Sequence, residues 1–336
     1  MITDYVTLFP FPDWVYRLGI RSQLRQRLAI ERDNRLIQDQ LAYANRLKHQ
    51  PIAIMTQAAN DQHYEVPIDF YQHVMGDYKK YSCGLYESPQ TTLTQAEEAM
   101  LTLTCQRAEL ADHQHILELG CGWGSLTLFM AERFPNATIM GISNSQSQRH
   151  YIEQEASKRG LNNISIKTMN VADLELNESF DRIVSVEMLE HVRNYDLLFS
   201  RIAGWLVPNG RFFAHIFGHQ QYAYLFDDAT QSSWMARHFF SGGQMPSQSL
   251  FSHFQSDLTI VQNWTISGNH YARTCSDWLA NMDKNRHAIK PIFDRVYGKQ
   301  SRRFWIYWRL FFMACEELFA YKNGEEWQVY HYLFAK

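Results

Sequence analysis

The chain of 336 residues carries 32 Lys plus Arg against 35 Asp plus Glu, a formal charge of −3. That balance gives no global basic footprint for nucleic acid or an anionic membrane. Apolar residues make up 46%, enough for one large domain or a core domain with substantial additions. Cys83, Cys105, Cys121, Cys275 and Cys315 form no C-x-x-C pair. This argues against a disulfide framework and a zinc site, and predicts a reducing, cytoplasmic compartment with no metal. The N-terminal residues lack the basic-then-apolar pattern of a secretory signal, and no uncharged apolar run reaches the roughly 18 residues of a spanning helix. Aromatic residues reach 14%, nine of them Trp. They suit either a bulky core or a ring-lined pocket for an apolar or cationic organic ligand.

In chain order, residues 1–60 read as a helical, polar extension in which Arg17, Arg21, Arg25 and Arg27 interleave with Leu18, Ile20, Leu24 and Leu28. Such a segment is a solvated face of a packing helix or a surface-binding cap. Residues 61–336 read as one α/β domain. A helix over 93–110 leads to a strand over 115–119, a glycine turn over 120–124 and a helix over 125–133. Strands over 137–142, 164–169, 179–186 and 211–216 follow, with helices over 145–159 and 195–206 between them. Pro208-Asn209-Gly210 reads as a turn. Short continuous apolar runs alternating with helices predict a doubly wound sheet of buried parallel strands. About 218–325 reads as a helical insertion over the site, including an amphipathic core helix over 304–319, and closing strands follow, the last over 327–334.

The run E-L-G-C-G-W-G at 118–124 sits after a strand and opens a helix. Ligands of such sheets bind at strand carboxyl ends, and glycine lets the backbone approach them closely. The spacing is G-x-G-x-G rather than the dinucleotide G-x-G-x-x-G. The second strand ends in Gly141-Ile142-Ser143-Asn144-Ser145, without an acid for a dinucleotide ribose, although Ser143, Asn144 and Gln148 could bond a ribose edge. These features favour a methionine-based nucleoside over NAD.

The fourth strand runs into Glu187-Met188-Leu189-Glu190-His191. A secondary amine is mostly protonated at neutral pH, and a nearby carboxylate or imidazole frees its lone pair. The same acids at a helix start would simply complement the dipole. Tyr64 and Glu65 form a polar pair beside Pro67, with either a capping or a catalytic role. Cys83 is a reactive thiol or a small buried residue, His215 lies near the end of the fifth strand, and Tyr271 by itself carries little signal.

The ordered segments H-Y-E-V-P at 63–67, Y-S-C at 81–83, L-E-L-G-C-G-W-G-S-L-T-L at 117–128, D-R-I-V-S-V-E-M-L-E-H-V at 181–192, F-F-S-G-G-Q-M-P-S at 239–247, N-H-Y-A-R-T at 269–274 and W-Q-V at 327–329 resemble the cyclopropane-fatty-acid synthase superfamily of S-adenosylmethionine-dependent methyltransferases. Within it, the coclaurine N-methyltransferase branch is the most similar. The resemblance implies a class I, Rossmann-like methyltransferase fold. It implies that Tyr81 and Ser82 close over the cofactor, that Gly120, Gly122, Ser143, Asn144 and Gln148 hold its methionine and ribose, and that Val171 and Ala172 flank the adenine. In the amine branch, positions matching Tyr64, Glu65, Glu187, Glu190 and His191 surround the substrate nitrogen. In the synthases, positions matching Cys83, Glu190, His215 and Tyr271 hold a bicarbonate base, with the backbone of an Ile where Phe217 stands here. A small glycine usually replaces Glu187 there. The acid would repel bicarbonate and suit a cationic amine.

The expected activity is therefore N-methylation of a small cyclic or aromatic amine, with Glu190 and His191 assisting proton removal. The alternative is methyl transfer to an unsaturated phospholipid acyl chain. That reaction would need bicarbonate, and the basic N-terminal helix could then dock on a membrane surface. The sequence leaves the oligomeric state open.

Overall fold

The computed structural model describes residues 11–33, 39–54, 66–226, 239–240 and 242–336. Its centre is a seven-stranded sheet. The strands that build it are β1 (His115–Leu119), β2 (Thr138–Ser143), β3 (Ile164–Thr168), β4 (Phe180–Val186), β5 (Leu206–His219), β8 (Thr259–Ile266) and β9 (Trp327–Ala335), and β6 (Tyr224–Leu225) and β7 (Gln244–Met245) form a separate two-stranded ladder. The sheet order is β3-β2-β1-β4-β5-β9-β8. The first five strands run parallel, and β9 is antiparallel to both of its neighbours. The chain winds outward through β2 and β3, then returns to β4 on the other side of β1. The β1/β4 boundary is therefore the switch point where ligands of such sheets bind.

Apolar runs in β1 and β4 are buried on both faces, as parallel strands require. Helices α4 (Leu93–Arg107), α5 (Ser125–Arg133), α6 (Gln146–Arg159) and α7 (Tyr195–Trp205) cover the sheet. Thr92 and Gln95 form a reciprocal capping box at the start of α4, and Ser145 caps α6. On one face Phe199 of α7 packs its ring against Phe212, Phe251 and Phe334.

Two features differ from the sequence expectation. Pro208-Asn209-Gly210 does not separate a helix from a strand beginning at Arg211. β5 starts at Leu206, and the trio forms a bulge within it, opposite the stretch between Phe180 and Arg182. Asn209 takes the left-handed conformation that makes the bulge, at φ 65°. In addition, the late zone is not helical throughout. The closing strand β8 precedes its helices and forms the exposed edge of the sheet.

Helices α8 (Gly268–Lys284), α9 (Arg286–Tyr297) and α10 (Ser301–Phe319) follow β8. With α3 (Ile68–Val74), they bury a second core in which Phe70 packs at a tilt against Phe293 and Trp308, and Trp278 against Phe312. The helix expected over 304–319 is α10. The N-terminal α1 (Asp13–Asp33) lies against α10, where Arg17 bonds Glu316 and Glu317, and Arg21 bonds Glu317. Arg309 of α10 in turn bridges Asp13 and Asp283. Two of the arginines that suggested a docking surface therefore hold the extension to the domain. Helix α2 (Gln40–Lys48) sits on α7, and Asn194 there donates to Lys48 O and Gln50 O.

Phe199 is 1% exposed and sits where α7 meets the sheet. Phe199→Ala is expected to lower unfolding free energy by about 3–5 kcal/mol, measured as a reduced urea midpoint with unchanged m-value.

Candidate active site

The glycine turn passes from β1 into α5 with three residues at positive φ: Gly120 at 83°, Gly122 at 51° and Gly124 at 80°. The reasons for glycine differ. A Cβ at Gly120 would lie 2.8 Å from Met188 and one at Gly124 would lie 2.6 Å from Ile152, whereas one at Gly122 would meet no atom within 4 Å. Gly120 and Gly124 serve packing. Gly122 faces open space at the carboxyl end of the sheet.

That space is a cavity lined by Tyr81, Ser82, Gly120, Gly122, Ser143, Asn144, Gln148 and Val171, all expected to touch the cofactor, and by Glu187 and His191. Ala172 is not among the lining residues. Its N–H is capped by Asn170 Oδ1 and its carbonyl accepts from Arg201, so Met169 and Asn170 take its place beside Val171. Ser143 Oγ donates to Gln148 Oε1 at 2.7 Å, which fixes the Gln148 amide. Gln148 Nε2, Ser125 Oγ and Trp123 Nε1 are buried in the cavity wall without a hydrogen-bond partner. Buried donors are rarely left so, and three around one cavity suit a ligand rich in hydroxyl and carboxylate oxygens. The site thus fits a methionine-based nucleoside.

Two cavity residues escaped the sequence reading. Lys80 is 2% exposed, donates to Ser82 Oγ, and has its ammonium pKa lowered by burial. Glu118 is buried, accepts from Thr127 Oγ1, and is pushed up to about 7 by burial. One basic and one acidic group in the same wall match the two charged ends of a methionine moiety. Both lay in plain view, Lys80 just before Tyr81-Ser82 and Glu118 within the glycine-turn run. No spacing rule marks either as a ligand.

The proposed substrate side is organised by Glu187, which directly follows β4. Its backbone lies in the left-handed region at φ 48°, which costs a non-glycine residue about 1–2 kcal/mol. The carboxylate offsets that cost by accepting three bonds. Oε1 takes the Cys83 N–H at 3.1 Å and faces His215 Nε2 at 3.2 Å, while Oε2 takes the Tyr271 hydroxyl at 2.5 Å. Its own N–H donates to the His215 carbonyl. Burial raises its pKa to about 7, opposed by the Lys80 ammonium and the Tyr271 and Cys83 bonds.

The remaining expected residues fall into place around it. Glu190 is fully buried behind the cavity, with Oε1 accepting from Phe217 N at 2.8 Å. Burial first, and the adjacent Glu187 charge second, hold it well above the carboxylate range. His191 lies on the cavity wall, stacked on Phe240 at 4.5 Å, and burial depresses its pKa to about 4, leaving a neutral imidazole at pH 7. The Cys83 thiol donates to the Gly84 carbonyl and is not in the lining. His215 and Tyr271 reach the site only through Glu187. Tyr64 and Glu65 lie outside the described residues. Among those described, no group of His, Cys, Asp and Glu could hold a metal.

The chain matches the family profile of mycolic acid cyclopropane synthetase over residues 53–329. It belongs to that family. It is 37% identical over 334 residues to the (S)-coclaurine N-methyltransferase of Thalictrum flavum subsp. glaucum, covering 97% of this chain and 92% of that protein. The cyclopropane-fatty-acyl-phospholipid synthase of Escherichia coli (strain K12) is 27% identical over 270 residues, covering 80% and 66%. A crystal structure of coclaurine N-methyltransferase bound to N-methylheliamine and S-adenosylhomocysteine superposes with a TM-score of 0.92 at 36% identity, covering 97% and 96%. The chain is an S-adenosylmethionine-dependent methyltransferase of class I fold.

Gly122→Ala places a methyl group in the cofactor space. It is expected to weaken S-adenosylhomocysteine binding at least about tenfold by calorimetry while costing about 1–2 kcal/mol of stability from its positive φ.

Proposed function

We propose that this methyltransferase acts on the nitrogen of a small cyclic or aromatic amine, and that Glu187 is its built-in base. One observation carries the reading. The donors from Cys83, Tyr271 and His215, residues that the synthase resemblance assigns to bicarbonate, all point at the Glu187 carboxylate. The protein's own anion thus fills the place of a borrowed one. The coclaurine and pavine N-methyltransferases, at 37% and 34% identity, support an amine acceptor. The lipid alternative requires bicarbonate where Glu187 stands.

S-adenosylmethionine, when bound, supplies an electrophilic sulfonium methyl group. The chain's own residues make the amine ready for it. A secondary ammonium entering the cavity meets Glu187, whose charge favours the cation and whose pKa near that of the medium suits it to accept the N–H proton. Once the proton sits on the Glu187 carboxyl, the nitrogen lone pair is free. His191, neutral and stacked on Phe240, presents a second acceptor, and Phe217 and Phe226 pack edge-on against Phe240 behind it. Glu190 Oε1 accepts from the Phe217 N–H, and burial together with the neighbouring Glu187 charge holds its carboxyl well above the usual carboxylate range.

The proposal predicts that activity on a benzylisoquinoline-type amine is unchanged in carbonate-free buffer. Glu187→Gly, which suits the local backbone, should lose about 10²- to 10⁴-fold in kcat and regain part of it with added bicarbonate or formate. Bicarbonate dependence in the unaltered enzyme, or full activity in Glu187→Gly without an added anion, would overturn the assignment. Because Glu187 carries its proton below a pKa of about 7, kcat/KM should rise with pH through that value. A flat acid limb would contradict the role.

A further inference from the structure

The sheet register aligns one row of residues across four strands. Val186 of β4 pairs with His215 of β5, His215 with His331 of β9, and His331 with Trp264 of β8. Arg107, in the last turn of α4, lies 4.7 Å over the Trp264 ring and directs Nη1 to His331 Nδ1 at 2.9 Å. His331 Nε2 lies 2.8 Å from His215 Nδ1, and His215 Nε2 is 3.2 Å from Glu187 Oε1. Both histidines are wholly buried.

A guanidinium only donates and does not lose its proton. His331 Nδ1 must therefore accept, which puts the His331 proton on Nε2. That proton goes to His215 Nδ1, so the His215 proton also sits on Nε2 and is donated to Glu187. One permanent cation thus fixes two tautomers in series. Neither imidazole can take a second proton without breaking a bond it accepts, and burial lowers both pKa values further.

We propose that Arg107 and His331 are positioning residues that set the donor direction of a buried relay ending on Glu187, so that this carboxyl is held as an anion facing the substrate amine. The inference rests on the reading of Glu187 as the working base. The relay is not a proton exit, because its far end cannot be deprotonated. Without it, His215 is free to turn its lone pair toward Glu187, which favours the protonated acid. The groups facing Glu187 are Lys80 and Cys83 from the segment before α4, His215 from β5, Tyr271 from α8, and Glu190 from the turn that follows it.

The test uses the S-adenosylhomocysteine complex with ¹⁵N-labelled histidine. In the unaltered protein, His215 and His331 should both be neutral Nε2–H tautomers between about pH 6 and pH 8. A neutral Nδ1–H form of His331 would overturn the proposal without touching the Glu187 assignment. In activity assays, His331→Leu and Arg107→Met should move the acid limb of kcat/KM up by about one pH unit and lower kcat, with cofactor affinity unchanged. His331→Gln keeps one acceptor and one donor in the right order, and Arg107→Lys keeps the cation, so both should restore the limb. An unmoved limb in folded His331→Leu and Arg107→Met contradicts the relay. An activity that survives Glu187→Gly contradicts the base reading instead.

Discussion

One carboxylate organises the proposed substrate side of this enzyme. Glu187 occupies a backbone conformation that disfavours any side chain, and three donors from distant parts of the chain hold it there. Cys83 arrives ahead of α4, His215 on β5, and Tyr271 on α8 after the whole sheet has been laid down but for its last strand. Each hydrogen bond to a charged group contributes about 1.5–3 kcal/mol, more in sum than the strain of one left-handed residue. The acid end of the site is therefore assembled only when the parallel sheet, the segment before α4 and the helical cap are all in place.

The cavity divides into two halves with opposite logic. On the cofactor side, Gly120, Gly122 and Gly124 shape the backbone, and Ser125, Gln148 and Trp123 leave buried donors without a partner in the cavity wall. On the proposed substrate side the Glu187 carboxylate is already held by protein donors, and burial does the electrostatic work. It raises Glu187 to about 7, raises Glu190 well above the usual carboxylate range, and holds His191 neutral. The helices that pack around the second core reach both halves: Tyr271 of α8 bonds Glu187, and Tyr71 of α3 packs its ring against Tyr81 and Trp123, beside the glycine turn.

The parts that were legible in the sequence are those written in local pattern. Short apolar runs located β1 to β4, and the glycine turn and Glu187 each fell at a strand carboxyl end, where the topology places ligands. The edge strand β8 was hidden because most of its side chains face solvent, which removes the apolar run that marks a buried strand. The β5 bulge was read as an ordinary turn because Pro-Asn-Gly serves both. Ala172 lies outside the cavity lining, where the polypeptide turns through a short 3-10 helix capped by Asn170. The pairing of His215 with His331 and Arg107 left no trace in spacing. It exists only through the antiparallel register of β5 and β9, set across more than a hundred residues.

The central claim is that Glu187 replaces an exogenous anion, and a crystal structure of the S-adenosylhomocysteine complex grown in bicarbonate tests it most directly. If Glu187 fills that place, both of its oxygens lie within hydrogen-bond distance of Cys83 N, the Tyr271 hydroxyl and His215 Nε2, with no carbonate density between them. A planar carbonate on those three donors, with Glu187 turned away, would contradict it.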